Sequence, residues 1–182
     1  QYTLSVSVPY SVFDFFFVHE TSETYKHTHL HRSMETTTRL PFGLYLVGCG
    51  PGDPQLLTSA AHSVLSRADV LISDALIYDS FKDRYGKVIK RPRWQDELNK
   101  VILKHISSGK SVARLKVGDV TLYARTKLEA SLAGLPFLIP GISAATSSAL
   151  YANVLTTSPH ADRTIVVTGT LEKENMSSDL PK

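Results

Sequence analysis

The chain has 182 residues, of which 42% are hydrophobic and 20% charged, enough for one core of ordinary size or one and a half small domains. Its 20 Lys and Arg against 17 Asp and Glu leave a net charge of +3, but the basic residues are dispersed, which argues against a nucleic-acid partner. The one cysteine, Cys49, has no internal partner for a disulfide and points to a reducing compartment. No apolar stretch approaches the roughly 20 residues of a membrane-spanning helix.

Residues 1–42 differ from the rest. The aromatic patch SVFDFFFV is interrupted by Asp14, and the tract after it is rich in Thr, His and charge without a helical or strand period. We read this segment as an irregular leader or the remnant of something upstream. The chain begins at Gln1 rather than Met, so the true N-terminus and any targeting signal are expected to lie upstream; the expected location is the cytoplasm, or an organelle if such a signal is missing. His27, His29 and His31 alternate in a spacing that binds zinc or nickel in extended chain, but no Cys or second acidic cluster accompanies them, and no metal site is assigned.

From Gly43 the pattern becomes regular. LYLV (44–47) is a short buried strand. Residues 56–68 place Leu57, Ala61, Val64 and Leu65 on one helical face, and DVLIS (69–73) is a second strand. QDELNKVILKHISSG (95–109) sets Leu98, Val101, Ile102, His105 and Ile106 on one stripe and closes on Gly109, the residue expected at a helix C-terminus. SVARL (111–115) is a third strand, LEASLAG a short helix, PFLI (136–139) a fourth strand, ISAATSSALYA a helix of small residues and TIVVT (164–168) a fifth strand. Strands alternating with helices predict an α/β fold with a mostly parallel sheet covered on both faces. Ligands of such sheets sit beyond the carboxyl ends of the strands.

The loops at those ends carry the chemistry. The first reads Gly48-Cys49-Gly50-Pro51-Gly52-Asp53-Pro54, where glycines admit positive φ and close approach and Asp53 can cap the next helix. Its spacing is G-x-G-x-G with a proline inside, a poor fit to the dinucleotide fingerprint. The second strand ends at Asp74, the third at Lys116-Val117-Gly118-Asp119, and the fourth at Pro140-Gly141-Ile142-Ser143-Ala144.

Taken in order, GLYLVGCGPGDPQLLT, ADVLISDALI, QDELN, GKSVARLKVGD, LPFLIPGISAATSSALYA and IVVTGT resemble the tetrapyrrole methylases over about residues 43–170. The resemblance implies the first domain of a two-domain fold (43–160), with 161–182 opening a second domain. It implies S-adenosyl-L-methionine as cofactor and transfer of its methyl group to uroporphyrinogen III, giving precorrin-2 on the way to sirohaem and cobalamin. A homodimer, no metal and no membrane are implied as well. Carried over position by position, Pro51, Val117, Gly118, Asp119, Leu122, Ser143 and Ala144 fall on cofactor-contacting positions. Asp74 falls on the proposed proton acceptor, Lys87 on the proton donor with Lys90 as its rival, and Arg125 on an arginine near the substrate's carboxylates.

The sequence departs from the family pattern in four places. Val117 and Val120 replace a glycine and a proline of the cofactor turn, and a valine tolerates positive φ badly, so a shifted loop is expected. Thr126-Lys127-Leu128-Glu129 loses one acid, and LTTSPHADR shifts His160 and Arg163 from a substrate-facing motif. The chain ends soon after VTGT where family members continue, so a fragment is the first expectation and a decayed homologue the second. The architectural alternatives are plain: Asp74 or Asp119 as caps, Lys87 as a surface lysine, Arg125 paired with Glu129, Ser143 as a helix N-terminal residue. Other functional readings are a sister methylase acting on a later precorrin or a diphthamide precursor, a non-catalytic relic binding tetrapyrrole or a partner, and a nicotinamide-dependent oxidoreductase. Cys49 is given no redox role, and His105, on an apolar stripe, is read as a packed histidine.

Overall fold

The computed structural model describes residues 39–122, 124, 126, 129, 132, 134, 136–157, 159 and 164–166. In chain order these form β1 (Gly43–Gly48), a 3-10 turn (Pro54–Leu56), α1 (Ser59–Arg67), β2 (Val70–Ser73), α2 (Tyr78–Tyr85), β3 (Val88–Lys90), α3 (Gln95–Ser107), β4 (Ser111–Lys116), β5 (Phe137–Ile139) and α4 (Ala144–Tyr151). The sheet has the order β3-β2-β4-β1-β5, and every pairing in it is parallel.

Strand alternation sorts the core into two layers. Tyr45, Val47, Leu71, Ala113 and Leu115 pack on one face with Ala61, Val64 and Leu65 of α1 and Phe81 of α2. Leu44, Leu46, Val70, Ile72 and Val112 pack on the other with Leu98 and Ile102 of α3. The sheet is therefore covered on both faces, as its nearly unbroken apolar strands require. Leu40 joins the first layer, and the Tyr45 hydroxyl donates to the Pro41 carbonyl at 2.9 Å. The stretch before Gly43, expected to be irregular up to residue 42, thus already packs on the fold at Leu40.

Helix ends follow the local chemistry. The expected single helix over 56–68 is divided: Asp53 caps the 3-10 turn by accepting from the Gln55 N–H at 2.8 Å, and Thr58 caps α1 by accepting from the Ala61 N–H at 3.1 Å. After α3, Gly109 takes φ +69° and its N–H reaches the Ile106 carbonyl at 2.9 Å, the glycine-terminated end that the sequence predicts.

Three elements differ from expectation. α2 and β3 carry little pattern: α2 buries only Phe81, and β3 is a three-residue edge strand with two exposed side chains. Thr164–Val166, expected to begin a strand, have no strand pairing; the rest of that segment, most of LEASLAG and the leader through residue 38 lie outside the described residues. Among the described residues no helix is long and apolar enough to cross a membrane.

Ile102 is fully buried between α3 and the sheet, so Ile102→Ala removes apolar contact and leaves a cavity. We expect a loss of about 2 to 5 kcal/mol in denaturant unfolding, with the m-value unchanged.

Candidate functional site

All five strands point their carboxyl ends to one rim. The loops after β1 and β4 part there: the first leads to α1 on one face, while the second drops Val120 into the layer on the other. A crevice at such a parting is where parallel sheets bind ligands.

Where the loops after β1, β4 and β5 touch, the contact is bare backbone. Cys49 donates its N–H to the Lys116 carbonyl at 2.8 Å, and Gly50 and Gly118 exchange both backbone hydrogen bonds, at 3.2 and 2.7 Å. A Cβ on Gly48 would lie 2.6 Å from the Gly141 nitrogen, and one on Gly141 would lie 2.4 Å from the Gly118 carbonyl oxygen. Three loops therefore meet where no side chain fits. Gly118 adopts φ +71° and, with Gly50 at +67°, carries the turn. Val117 has no positive φ, so the valine sits in this turn without backbone strain. It packs against the first core layer, and Val120 is buried in the second.

Asp119 locks this corner. Its Oδ1 accepts from the Thr121 N–H at 2.8 Å and from the Thr121 hydroxyl, and its Oδ2 accepts from the Gly141 N–H at 3.0 Å. The Thr58 hydroxyl donates to the Pro140 carbonyl at 3.1 Å, tying the entry of α1 to the same loop. Ser143 caps α4 through the Ala145 N–H at 3.2 Å, and Gly118 lies directly against Ala144 and Ser143. The structure thus brings Pro51, Val117, Gly118, Asp119, Ser143 and Ala144 to one corner, with Leu122 exposed beside them. Asp119 meets this corner as a brace with both carboxylate oxygens engaged.

Asp74 follows β2 on the face of Ile72. Its carboxylate pairs with Arg114 and stands 3.9 Å from Arg91; both contacts fall on Oδ1. Its side chain makes no helix cap, since α2 has no side-chain cap. Arg114 is 1% exposed and also donates to the Ile72 and Leu115 carbonyls at 3.1 and 2.8 Å. Behind it Glu129 stands 3.5 Å from Arg114 Nε and accepts from Lys116 Nζ at 3.0 Å. Burial holds the Lys116 ammonium below its usual value, opposed by the Glu129 carboxylate. In the pattern S-V-A-R-L-K the two basic residues share a face with Val112, so β4 drives Arg114 and Lys116 into the interior where α3 no longer covers it. This four-member chain of charge is the main feature that sequence reasoning missed. The period-2 placement of Arg114 and Lys116 was the available signal.

Lys87 is not brought to the rim. β3 pairs Leu71 with Val88 and Ser73 with Lys90, so Lys87 precedes the strand at its amino end and Lys90 closes it at the carboxyl end, opposite Ser73. Lys90 Nζ sits 5.6 Å from the Tyr78 ring centre. Arg125, His160 and Arg163 lie outside the described residues, as do His27, His29 and His31; the described residues hold no cluster of His, Cys, Asp and Glu suited to a metal. Cys49 is buried, and burial raises its thiol to about 12, far from the range of a reactive thiolate. His105 is half-buried on α3 and burial lowers its pKa.

Residues 43–180 match the family model of the Tetrapyrrole (Corrin/Porphyrin) Methylases. The chain belongs to the tetrapyrrole methylase family. Among curated relatives of this methylase chain, the siroheme synthase of Nitrosospira multiformis is 37% identical over 169 residues, covering 84% of this chain and 36% of that protein. The siroheme synthase of Nitrosococcus oceani is 38% identical over 149 residues, covering 74% and 32%. Among solved structures, the uroporphyrin-III-C-methyltransferase of Thermus thermophilus aligns with a TM-score of 0.57 at 31% identity, over 64% of this chain and 55% of that one. The same enzyme complexed with S-adenosyl homocysteine aligns at 0.52 and 30%, over 64% and 53%. The chain spans about a third of the length of these curated relatives and just over half of these solved chains.

Two consequences are measurable. Removing the charge of Glu129 takes from buried Lys116 its carboxylate partner and leaves Arg114 to Asp74, so Glu129→Gln is expected to cost about 3 kcal/mol or more in chemical denaturation. For Asp119, burial opposes ionisation but the hydrogen bonds from Thr121, Gly141 and Val120 outweigh it, and its pKa is lowered. A carboxyl depressed in the folded state stabilises above its unfolded pKa and loses that contribution as pH falls through the folded value. Asp119→Asn should therefore melt below the wild type at neutral pH, and the gap should close as pH falls below about 4.

Proposed function

We propose that this chain is the first domain of an S-adenosylmethionine-dependent C-methyltransferase that converts uroporphyrinogen III to precorrin-2 in sirohaem and cobalamin synthesis, with residues 161–182 opening a second domain. The observation that carries this reading is the corner where Gly48, Gly118 and Gly141 meet without side chains, one loop away from a carboxylate held on the rim by a buried arginine. Membership in the family and the likeness to an enzyme solved with S-adenosyl homocysteine support it.

Backbone at Gly50, Val117 and Gly118, the ring of Pro51 and the exposed face of Leu122 suit a cofactor with a flat base and a short amino-acid arm. When bound there, S-adenosylmethionine supplies an electrophilic sulfonium methyl to a nucleophilic pyrrole carbon. Asp74, oriented through Oδ1 by Arg114, turns Oδ2 to accept the proton that the methylated macrocycle releases. Lys90, at the carboxyl end of β3, takes the proton-donor role expected of Lys87. Arg125 pairs with substrate carboxylates, bidentate pairing being what a guanidinium offers a polycarboxylate. The working enzyme is proposed to be a cytoplasmic homodimer.

Calorimetric titration of S-adenosylhomocysteine into this chain, with NADH as control, tests the reading. Saturable heat from the first ligand alone is expected, weakened about tenfold or more in Asp119→Ala as the glycine corner loosens; no heat at millimolar S-adenosylhomocysteine would overturn the assignment for this chain. In the full-length protein, Asp74→Asn should lower kcat for methyl transfer by about a hundredfold or more.

A further inference from the structure

From Arg91 onward, the flank of the rim beyond β3 plays no part in the proposed methyl transfer. There the chain reads Lys90-Arg91-Pro92-Arg93-Trp94 and runs from the carboxyl end of β3 into α3. The Arg91 N–H is held by the Ser73 carbonyl at 2.9 Å, extending the β2 ladder one residue past β3. This throws Arg91 to the Asp74 side of the sheet, and its guanidinium stops 3.9 Å from that carboxylate. Pro92 stiffens the next step. Arg93 lies with its guanidinium carbon 5.1 Å from the centre of the exposed Trp94 ring, a cation–π contact that restricts where the guanidinium can go. Arg93 forms no ion pair among the described residues. Asp96 and Glu97, the nearest acids along the chain, sit in the first turn of α3, where they meet the positive end of the helix.

The same rim is apolar in an ordered way. Among the described residues, the loops after β2, β3, β4 and β5 expose Leu76 at 88%, Trp94 at 61%, and Leu122 and Ile142 at lesser exposure. Exposed apolar side chains gathered at one end of a sheet, edged by cations on one flank, suit a ligand with a flat apolar face and an anionic perimeter.

We propose that Arg91 and Arg93, with Trp94 as their platform, form a carboxylate-binding flank that grips the peripheral acid side chains of a flat polycarboxylate macrocycle and seats it over Asp74. The proposal rests on the substrate class given under the proposed function. It adds to that reading a pair of specificity-determining arginines: a macrocycle bearing acetates as well as propionates fills the flank, and one whose acetates are replaced by methyls leaves it partly empty.

The test is fluorescence titration of uroporphyrin III, a stable oxidised stand-in for the macrocycle, and of coproporphyrin III into the full chain at low and physiological salt. Arg93→Gln and the Arg91→Gln/Arg93→Gln double variant are compared with Lys104→Gln at the far end of α3. Among the described residues Arg93 pairs with no carboxylate, and the Asp74 contacts are made by Arg114 and Arg91, so the single variant leaves them intact. The double variant should bind uroporphyrin about tenfold or more weakly, Arg93→Gln should show part of that loss, and both should depend less on salt. Coproporphyrin should bind weakly and feel the substitutions little, and S-adenosylhomocysteine heat should be unchanged in both variants. Equal uroporphyrin affinity in wild type and double variant, a loss no larger than that of Lys104→Gln, or no uroporphyrin binding by the wild type would each overturn the inference. Loss of S-adenosylhomocysteine binding in the wild type would strike instead at the methyltransferase reading, leaving the arginine comparison intact.

Discussion

The architecture of the rim depends on one steric constraint: the backbones of Gly48, Gly118 and Gly141 approach so closely that a Cβ on the first or third would overlap main-chain atoms. Parallel strands held at ordinary spacing cannot bring three carboxyl-end loops together if any of them carries a side chain inward. Once the loops touch, Asp119 can reach across to the Gly141 N–H and Thr58 to the Pro140 carbonyl. The position of α4, and with it Ser143 and Ala144, is then set by the contact. The glycines remove the obstacle, and the polar braces fix what remains.

A second constraint is electrostatic. β4 sends Arg114 and Lys116 into the sheet's interior, and burying two cations is costly without compensating acids. Glu129 and Asp74 supply that compensation from different parts of the chain, one from the segment after β4 and one from the loop after β2. The pairing therefore joins the rim to the segment containing Glu129, and it leaves Asp74 as the only member of the chain of charge with substantial exposure, at 22% of its side chain.

Much of this was legible in sequence because the signals were local and strong. The apolar runs of β1, β2 and β4, the stripe of α3 and the glycines at the strand ends each announce themselves within a few residues. α2 and β3 did not, since an eight-residue helix with one buried side chain and a three-residue edge strand leave no period to read. That blind spot had a functional cost: without β3, the end of the sheet on which Lys87 lies could not be known, and register alone moves the rim lysine to Lys90. Asp119 shows the converse limit. Its presence at the corner was readable, but its use as a brace depends on contacts with Gly141, 22 residues away in the chain.

Cys49 gives the corner a built-in reporter. It is the one cysteine of the chain, fully buried, its N–H bonded to the Lys116 carbonyl, and its neighbours on either side are Gly48 and Gly50. A thiol so placed, packed in the core layer with Ala61, Ile77 and Phe81, meets an external alkylating reagent only when the structure around it opens, so its labelling rate is a clock for that opening. Anything that fills the crevice and holds Gly50 against Gly118 must slow the clock, which makes occupancy of the corner visible in an untagged, unmutated chain.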